Sequence, residues 1–365
     1  MTGRARMGLG IAGRFDVSEQ VFPALHPAMA PGHGFWHQPS ASARLGFADD
    51  EIFLLFIMQE ELVSDLEVLD YLELFNSTVE AAKLLGIAQS SCSRRYRSFS
   101  QRYGIGFDRI AERYSASSNL DILACLRQAC QKLRIRQGCP RLTIGWQLGD
   151  LPIPELQEAG VVLPIRPMNS LRLLSLLEQR LLDVALMGML ELQNLLGQPL
   201  QRLRARRITL SPTMLCVPIG VYDLKLIAHS SHPLQGRSDL NPEELGQYPS
   251  PALPLGMAPT LMGSLQPHGL ANQPCGLSEY QEQAWEGFAR DGVGLSYCGP
   301  YRLAHLERMY ELNALPYKLG IQDCIGFVGH RDVLADPAFR QTFRVGLRGL
   351  RSALTGCGAE IFWLS

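Results

Sequence analysis

Apolar residues recur at helical spacing from Ser64 to Arg136. Between Ser64 and Phe75, Leu66, Leu69, Leu72 and Leu74 with Tyr71 and Phe75 predict one helix. After the capping pair Ser77 and Thr78, the positions Val79, Ala82 and Leu85 predict a second helix, and Gly86 supplies the break that helix ends favour. Ile87 packs the turn, and a third helix runs from Gln89 to Tyr103 with Cys92, Tyr96 and Phe99 as its inward stripe. Three such helices form a small winged-helix-like unit, whose wing is expected in GFDRIAERYSASSN, just after Ile105. A fourth helix follows from Leu120 to Arg136, with Ile122, Leu126, Ala129 and Leu133 on one face. Its stripe needs a partner. The expected one is the same helix of a second copy in a dimer, the alternative being packing within the same chain.

Gly138-Cys139-Pro140 closes that helix, and the pattern then turns to strands alternating with helices. RLTIGW (Arg141 to Trp146), VVLPI (Val161 to Ile165) and DVALMG (Asp183 to Gly188) read as strands, and Ser170 to Leu182 as a leucine-rich helix. This alternation predicts an α/β fold with a mostly parallel sheet covered by helices on both faces, where ligands bind at the carboxyl ends of strands.

Charge sharpens the first unit. The third helix carries Arg94, Arg95, Arg97 and Arg102 and no carboxylate. Between Arg44 and Lys83 there is no basic residue, while Asp49, Asp50, Glu51, Glu60, Glu61, Asp65, Glu67, Asp70, Glu73 and Glu80 are acidic. Positive charge is thus focused on one helix, as in helix-turn-helix modules that present their second helix to the DNA major groove. Arginines on a solvated face are the bland alternative. With a net charge of only -1, any nucleic-acid footprint is this local patch and not the whole surface.

The 365 residues, 46% of them hydrophobic, suffice for two or three compact units. The strongest apolar run, Ile52 to Met58, is too short to span a bilayer and lies between acidic residues, so no membrane partner is expected. Nine cysteines without a CxxC pair argue against a disulfide framework or zinc cluster and fit a reducing cytoplasm. Residues 1–61 read as a poorly structured extension, rich in Gly, Pro, Ala, Ser and His from Pro23 to Ala43. Its His26, His33 and His37 lack companion ligands at metal spacing, and no metal or cofactor is expected. Met58 is an alternative biological start, which N-terminal sequencing of the native protein tests.

Taken together, these segments resemble the LysR-type transcriptional regulators over about residues 62 to 355. AQSSCSRRYRSFSQRYGI follows the family's recognition segment without a gap, keeping Gln89, Ser93, Arg94, Arg97, Gly104 and an aliphatic Ile105, with Ser90 and Cys92 in place of the usual proline and valine. LDVALMG matches the Leu-Asp-Leu-Ala strand, LKLIAHSSHPLQGRSDLNPEELGQYP the crossover strand with its His-Pro-Leu step, and RDGVGLSYCGP the Gly-x-Gly strand. Four departures stand out. The usually basic wing has become ERYSASSN, the linker helix is short, the first lobe is abbreviated between Gln147 and Val161, and the extension has no counterpart.

The resemblance implies a winged helix-turn-helix domain (62–116), a linker and dimerisation helix (117–137) and an effector domain (138–355) folded like two-lobed periplasmic binding proteins. Lobe I is expected at about 141–220 and 325–355, lobe II at about 221–324, with 356–365 as a tail. It implies a cytoplasmic regulator, homodimeric or homotetrameric, that binds promoter DNA, works with RNA polymerase and responds to a small effector, with an anionic metabolite the expected kind. Gln89, Ser90, Ser91, Ser93 and Arg94 are placed for base edges; Arg95, Arg97 and Arg102 for phosphates; Thr78 for one further phosphate. Carried over by position, the effector residues are Gln147, Asn169, Ser170, Thr260, Tyr297, Gly299 and Pro300. Asn169 or Ser170 serving only as a helix cap, and Tyr297 as core, are the alternatives.

Two other classes share the scaffold. A solute-binding protein needs an export signal and has no use for an arginine-loaded helix. An α/β enzyme with an accessory helical domain needs chemistry that is not evident: Gly292-Val293-Gly294 lacks a following phosphate-loop glycine, and neither a Gly-x-Ser-x-Gly elbow nor a His-Glu-x-x-His pair occurs, so no catalytic residue is assigned. A redox-sensing variant needs paired thiols, and Cys216, Cys275, Cys298 and Cys324 are widely separated in sequence.

Overall fold

A computed structural model describes residues 49–110, 113–192, 208–358 and 360–363. The expected N-terminal extension, with its three histidines, falls up to residue 48 outside the described residues. Helix α1 spans Asp49–Phe75, so it starts well before the Ser64 that periodicity suggested. The segment FLLFIM is apolar on every face and carries no 3.6-residue signal, yet the absence of Gly and Pro and the acidic first turn favour helix there. Helix α2 (Thr78–Leu84) starts at Ser77, whose hydroxyl accepts from the Glu80 amide at 3.3 Å, and helix α3 spans Gln89–Tyr103. Gly104 ends α3 in the left-handed region (φ 63°), and Ile105 then folds back as core.

Strands β1 (Phe107–Ile110) and β2 (Arg113–Ala116) pair antiparallel where the wing was expected. The Asn76 carboxamide accepts from the Tyr114 amide at 3.1 Å and ties the hairpin to the α1–α2 turn. Helix α4 spans Leu120–Arg136, as its pattern predicted. Its buried face, however, is Leu123, Arg127, Gln131 and Ile135, which pack within the same chain; Ile122, Ala129 and Leu133 point outward.

The remaining chain forms strands β3 (Arg141–Ile144), β4 (Val161–Leu163), β5 (Val184–Gly188), β6 (Met214–His229), β7 (Pro251–Ala252), β8 (Gln273–Pro274), β9 (Leu295–Cys298), β10 (Leu312–His330) and β11 (Phe362–Trp363). Between them lie helices α5 (Pro154–Glu158), α6 (Ser170–Glu178), α7 (Pro242–Leu245), α8 (Pro259–Leu265), α9 (Glu282–Trp285), α10 (Leu303–Tyr310), α11 (Arg331–Leu334) and α12 (Pro337–Gly356).

The main sheet runs β11-β6-β10-β5-β3-β4, with β9 also on β6. It is mixed, not mostly parallel: β3 pairs parallel with β4 and β5, while β6, β9, β10 and β11 pair antiparallel. Local alternation revealed the βαβ part but not the two long strands, whose pairing is set far apart in sequence. Three predicted spans are shorter as well: Trp146 leaves its strand for a 3-10 turn, Pro164 and Ile165 lie beyond β4, and α6 stops before the left-handed Arg180. The expected tail is partly ordered, since Phe362 and Trp363 pair with Val221 and Gly220.

β6 and β10 cross between two lobes. Ile219 and Tyr222 of β6 with Ile325 and Phe327 of β10 pack into one core, with β3, β5 and α12; Leu226 and Ala228 with Leu315, Leu319 and Ile321 pack into the other, around Trp285 and Tyr297. The abbreviated stretch after Gln147 holds α5, whose Leu156 and Glu155 lie against Gly346 and Gly349 of α12, where a methyl group would clash. The helix-turn-helix core is continuous with the first lobe. Val68, Tyr71 and Leu72 of α1, Ala81 and Ala82 of α2 and Cys92 of α3 join Leu173, Leu177, Ala185 and Met187 in one cluster.

Charge is buried at that junction. Asp70, 1% exposed, accepts from Arg127 Nε at 2.8 Å and from Arg141 Nη1 at 2.6 Å. Glu73 accepts from Arg127 Nη2 at 3.0 Å, and Glu67 meets Arg141 Nη2 at 3.3 Å. Asp183 accepts from Arg134, from Gln131 and from the Arg141 amide. Burial would raise the Asp70 carboxyl, but Arg127, Arg141 and Arg134 outweigh it and hold it below the usual carboxylate range. One network therefore links α1, α4 and the first strands of the α/β part.

Candidate nucleic-acid interface and ligand cleft

Helix α3 presents its polar side outward because Cys92 and Phe99, seven residues apart, are buried beneath it and Tyr96 is half-buried. Tyr96 meets Phe107 and Tyr114 edge-on, at centroid distances of 5.3 and 6.2 Å, so the wing fixes the helix's rotation. Gln89, Ser90, Arg94, Arg97 and Arg102 are exposed, and Ser91 and Ser93 half-buried at its margin. Within this outer row, Gln89 donates to the Thr78 hydroxyl at 3.0 Å and Arg94 to the Ser91 hydroxyl at 3.4 Å. Both bonds lie on exposed groups, and a nucleic acid can exchange them at little cost.

Arg95 differs from the rest. Its guanidinium turns to α1, hydrogen-bonded to the Ser64 hydroxyl and 3.9 Å from Asp65. That geometry commits it first to holding α3 on α1, and phosphate contact comes second. Sequence reasoning passed over Arg109. It is exposed on β1 and sits 5.7 Å from the Tyr114 ring centre, so the wing keeps a cation. Arg109 lies within GFDRIAERYSASSN, where the wing was expected, but only the ERYSASSN part of it was compared for charge.

The second site is a cleft partly open to solvent, lined from both lobes. Of the expected effector residues, Gln147, Ser170 and Tyr297 line it. Gln147 is buried and joins the lobes: its Oε1 accepts from the Gly299 amide at 2.8 Å, and its Nε2 donates to the Tyr297 carbonyl at 3.4 Å. Asn169, Thr260, Gly299 and Pro300 stand outside the lining. Asn169 caps α6 by accepting from the Leu171 amide at 2.9 Å, and Gly299 serves Gln147. Thr260 is fully buried, its amide bonded to Glu191 and its hydroxyl without a hydrogen-bond partner.

The lining that sequence reasoning missed is aromatic and acidic. Trp146, Tyr222, Trp285 and Tyr301 face the cleft, with Glu191 and Asp323. Trp285 bridges two rings edge-on, Trp146 at 5.7 Å and Tyr297 at 5.3 Å, and Tyr222 meets Tyr301 at 5.4 Å. Glu191 accepts from the Thr260 and Leu261 amides, both at 2.9 Å, so a carboxylate of this chain already closes the start of α8. Asp323 accepts from Tyr222 Oη at 2.9 Å and from the Met189 and Cys324 amides at 2.9 and 2.7 Å; burial pushes its carboxyl up despite these donors. These residues come from segments over a hundred positions apart, with no local motif to announce them. No Lys, Arg or His is among the described residues that line the cleft, so the anionic metabolite expected from the resemblance finds no countercharge there.

A second inter-lobe cluster lies beside it. Arg302 pairs with Asp150 at 3.3 Å and with Glu282, and His305 pairs with Glu282 at 3.0 Å. Tyr280 Oη donates to Glu286, whose carboxyl burial pushes up to about 8 against the opposing pull of Arg302. Among the described residues, no group of three His, Cys, Asp or Glu side chains is arranged to hold a metal ion, and no helix is long and apolar enough to cross a membrane.

No family model and no curated protein matches this sequence. Solved structures do. A full-length OxyR variant from Pseudomonas aeruginosa is 13% identical, with a TM-score of 0.50, over 80% of this chain and 95% of that one. CbnR, a LysR family transcriptional regulator, is 14% identical over 79% of this chain and 99% of its own, at a TM-score of 0.44. ArgP from Mycobacterium tuberculosis is 15% identical over 78% and 96%, at 0.45. The first of these likenesses carries the fold: this chain has the architecture of the full-length OxyR variant, a winged helix followed by a two-lobed α/β unit.

Proposed function

We propose that this protein is a LysR-type transcriptional regulator. In this reading it binds promoter DNA through α3, senses a small molecule in the cleft between its lobes, acts with RNA polymerase in the cytoplasm, and catalyses no reaction. The observation that carries it is the outward row of Gln89, Ser90, Arg94, Arg97 and Arg102 on a helix free of carboxylates, within a fold that has a lined cleft at its other end. Gln89, Ser90, Ser91, Ser93 and Arg94 take the base edges. Arg97 and Arg102 take phosphates, joined by Arg109 from the wing and by Thr78, while Arg95 holds the helix in place.

A homodimer or homotetramer belongs to the same proposal. The outward apolar side of α4, with Ile122 42% and Leu133 41% exposed, supports pairing with the same helix of a second copy. The domain limits belong to the same proposal: 62–116 reads DNA, 117–137 links, and 138–355 senses.

Footprinting on the intergenic DNA next to the protein's own gene, with a salt titration of the affinity, tests the proposal. A protected palindromic site is expected, with log K falling linearly in log salt and the slope reduced by about 1 for each phosphate-binding arginine replaced by alanine. Absence of any protected sequence on that DNA and on a random-sequence selection would overturn it.

A further inference from the structure

We infer that the cleft takes an organic cation, a primary or secondary ammonium group carried on an apolar body. This rests on the reading of the cleft as the sensing site. The charge inventory argues it first. Glu191, buried, and Asp323, half-buried, both line the cavity, and no basic side chain accompanies them among the described residues of the lining. Carboxylates held only by neutral donors leave negative potential in the space they border, and an added anion would meet like charge there.

Hydrogen-bonding capacity argues it next. A carboxylate offers about four acceptor positions. Asp323 fills its four, on Tyr222 and on the Met189, Leu190 and Cys324 amides, whereas Glu191 uses two, on Thr260 and Leu261. Acceptor capacity therefore remains on Glu191, while several donors of the lining are engaged: Gln147 and the Tyr297 hydroxyl on carbonyls, Trp146 Nε1 on the Pro167 carbonyl, and Tyr222 on Asp323. A ligand that brings N–H donors fits this lining, and one that brings only acceptors does not. The start of α8, where an anion could otherwise rest, is already filled by Glu191.

The rings argue it last. Trp146, Trp285, Tyr297, Tyr222 and Tyr301 border one cavity, and aromatic faces attract cations while accommodating an apolar body. Gly188 shows how closely the acid is seated, since a methyl group at that position would collide with Asp323 Oδ2.

Matched ligand series provide the test on the full-length protein: hexylamine against hexanol and heptanoate, and 2-phenylethylamine against 2-phenylethanol and 3-phenylpropanoate. Binding is read by calorimetry and by tryptophan fluorescence. The amines are expected to bind at least tenfold tighter than the carboxylates of matched length. Asp323→Asn and Glu191→Gln, checked for native circular dichroism, should each weaken the amines tenfold or more while leaving the alcohols unchanged. Carboxylates that bind as tightly as amines overturn the inference while leaving the sensing role intact. Should neither series bind to protein that still retains its DNA, the inference fails and the sensing role with it.

Discussion

Replacing Asp70 with asparagine removes the one carboxylate that two buried guanidinium groups share. Arg127 Nε and Arg141 Nη1 lie 2.8 and 2.6 Å from its oxygens, and all three side chains are at most 4% exposed. At an effective dielectric of about 20, unit charges roughly 4 Å apart attract by about 4 kcal/mol. Two such pairs, set against the cost of burying the acid, agree with the roughly 3–5 kcal/mol lost when one partner of a buried pair is removed. Glu73 stays on Arg127, but Glu67, the remaining acid on Arg141, is half-exposed and compensates little. With a urea m-value of about 3 kcal/mol/M, the unfolding midpoint should fall by about 1 M or more. Asp65→Asn is the control, since Asp65 faces Arg95 at 3.9 Å on a partly exposed surface, and its loss should cost less than about 1 kcal/mol. Acid titration adds a sign. Asp70 is held below 3.8, so its contribution is present above about pH 4 and is lost as pH falls through its depressed value; Asp70→Asn flattens that acid limb. Equal midpoints for the two variants would refute the assignment of this network as the junction between the winged helix and the two-lobed α/β unit.

Four further outcomes are expected. Arg94→Ala should relax base preference at one position of each half-site and cost about 1–3 kcal/mol of specific binding, read by binding-site selection; an unchanged selected sequence contradicts the base-contact role. Leu133→Asp on the outward side of α4 should shift the protein toward monomer in light scattering while leaving circular dichroism native, and an unchanged mass would count against the helix pairing. Glu286 binds its proton more tightly folded than unfolded, so stability should decline as pH rises from about 4.5 toward about 8, by at most about 1.4 kcal/mol per pH unit. Glu286→Gln should remove that slope in thermal melts taken across the range. Under limiting maleimide, mass spectrometry should find Cys125 and Cys139 modified first and Cys92, Cys298 and Cys324 protected, because the first two are exposed and the other three buried.

Local periodicity and capping were enough to place α2, α3 and α4 and strands β3 and β5, and the winged-helix-like order of the helices pointed to the wing. Those elements are specified by neighbours three or four residues away in a helix, or two away in a strand, and such spacing survives in one dimension. The inward phase of α3 was legible for the same reason, since Cys92 and Phe99 are the apolar members of an otherwise polar helix. So was the concentration of arginine on its outer face.

The acidic run before α2 shows where this kind of inference stops. Glu67, Asp70 and Glu73 look like a solvated face beside Leu66, Leu69 and Leu72, yet Asp70 and Glu73 are buried on Arg127 and Arg141, more than fifty positions away. The same partners turned α4 so that an arginine and a glutamine face inward while Ile122 and Leu133 face out, against the order that hydrophobicity alone would choose. The cleft follows the same rule. Gln147 and Tyr297 were found because a family motif marks their neighbourhoods, whereas Trp146, Glu191, Trp285 and Asp323 meet only when β6 and β10 pair and close the two lobes. Nearest-neighbour pattern decides where the chain coils and which helix bears the charge. The burial of a charge, the facing of a helix and the polarity of a binding cavity depend on side chains brought together from distant segments, because the cost of removing a charge from water is settled by whichever partner the completed fold supplies.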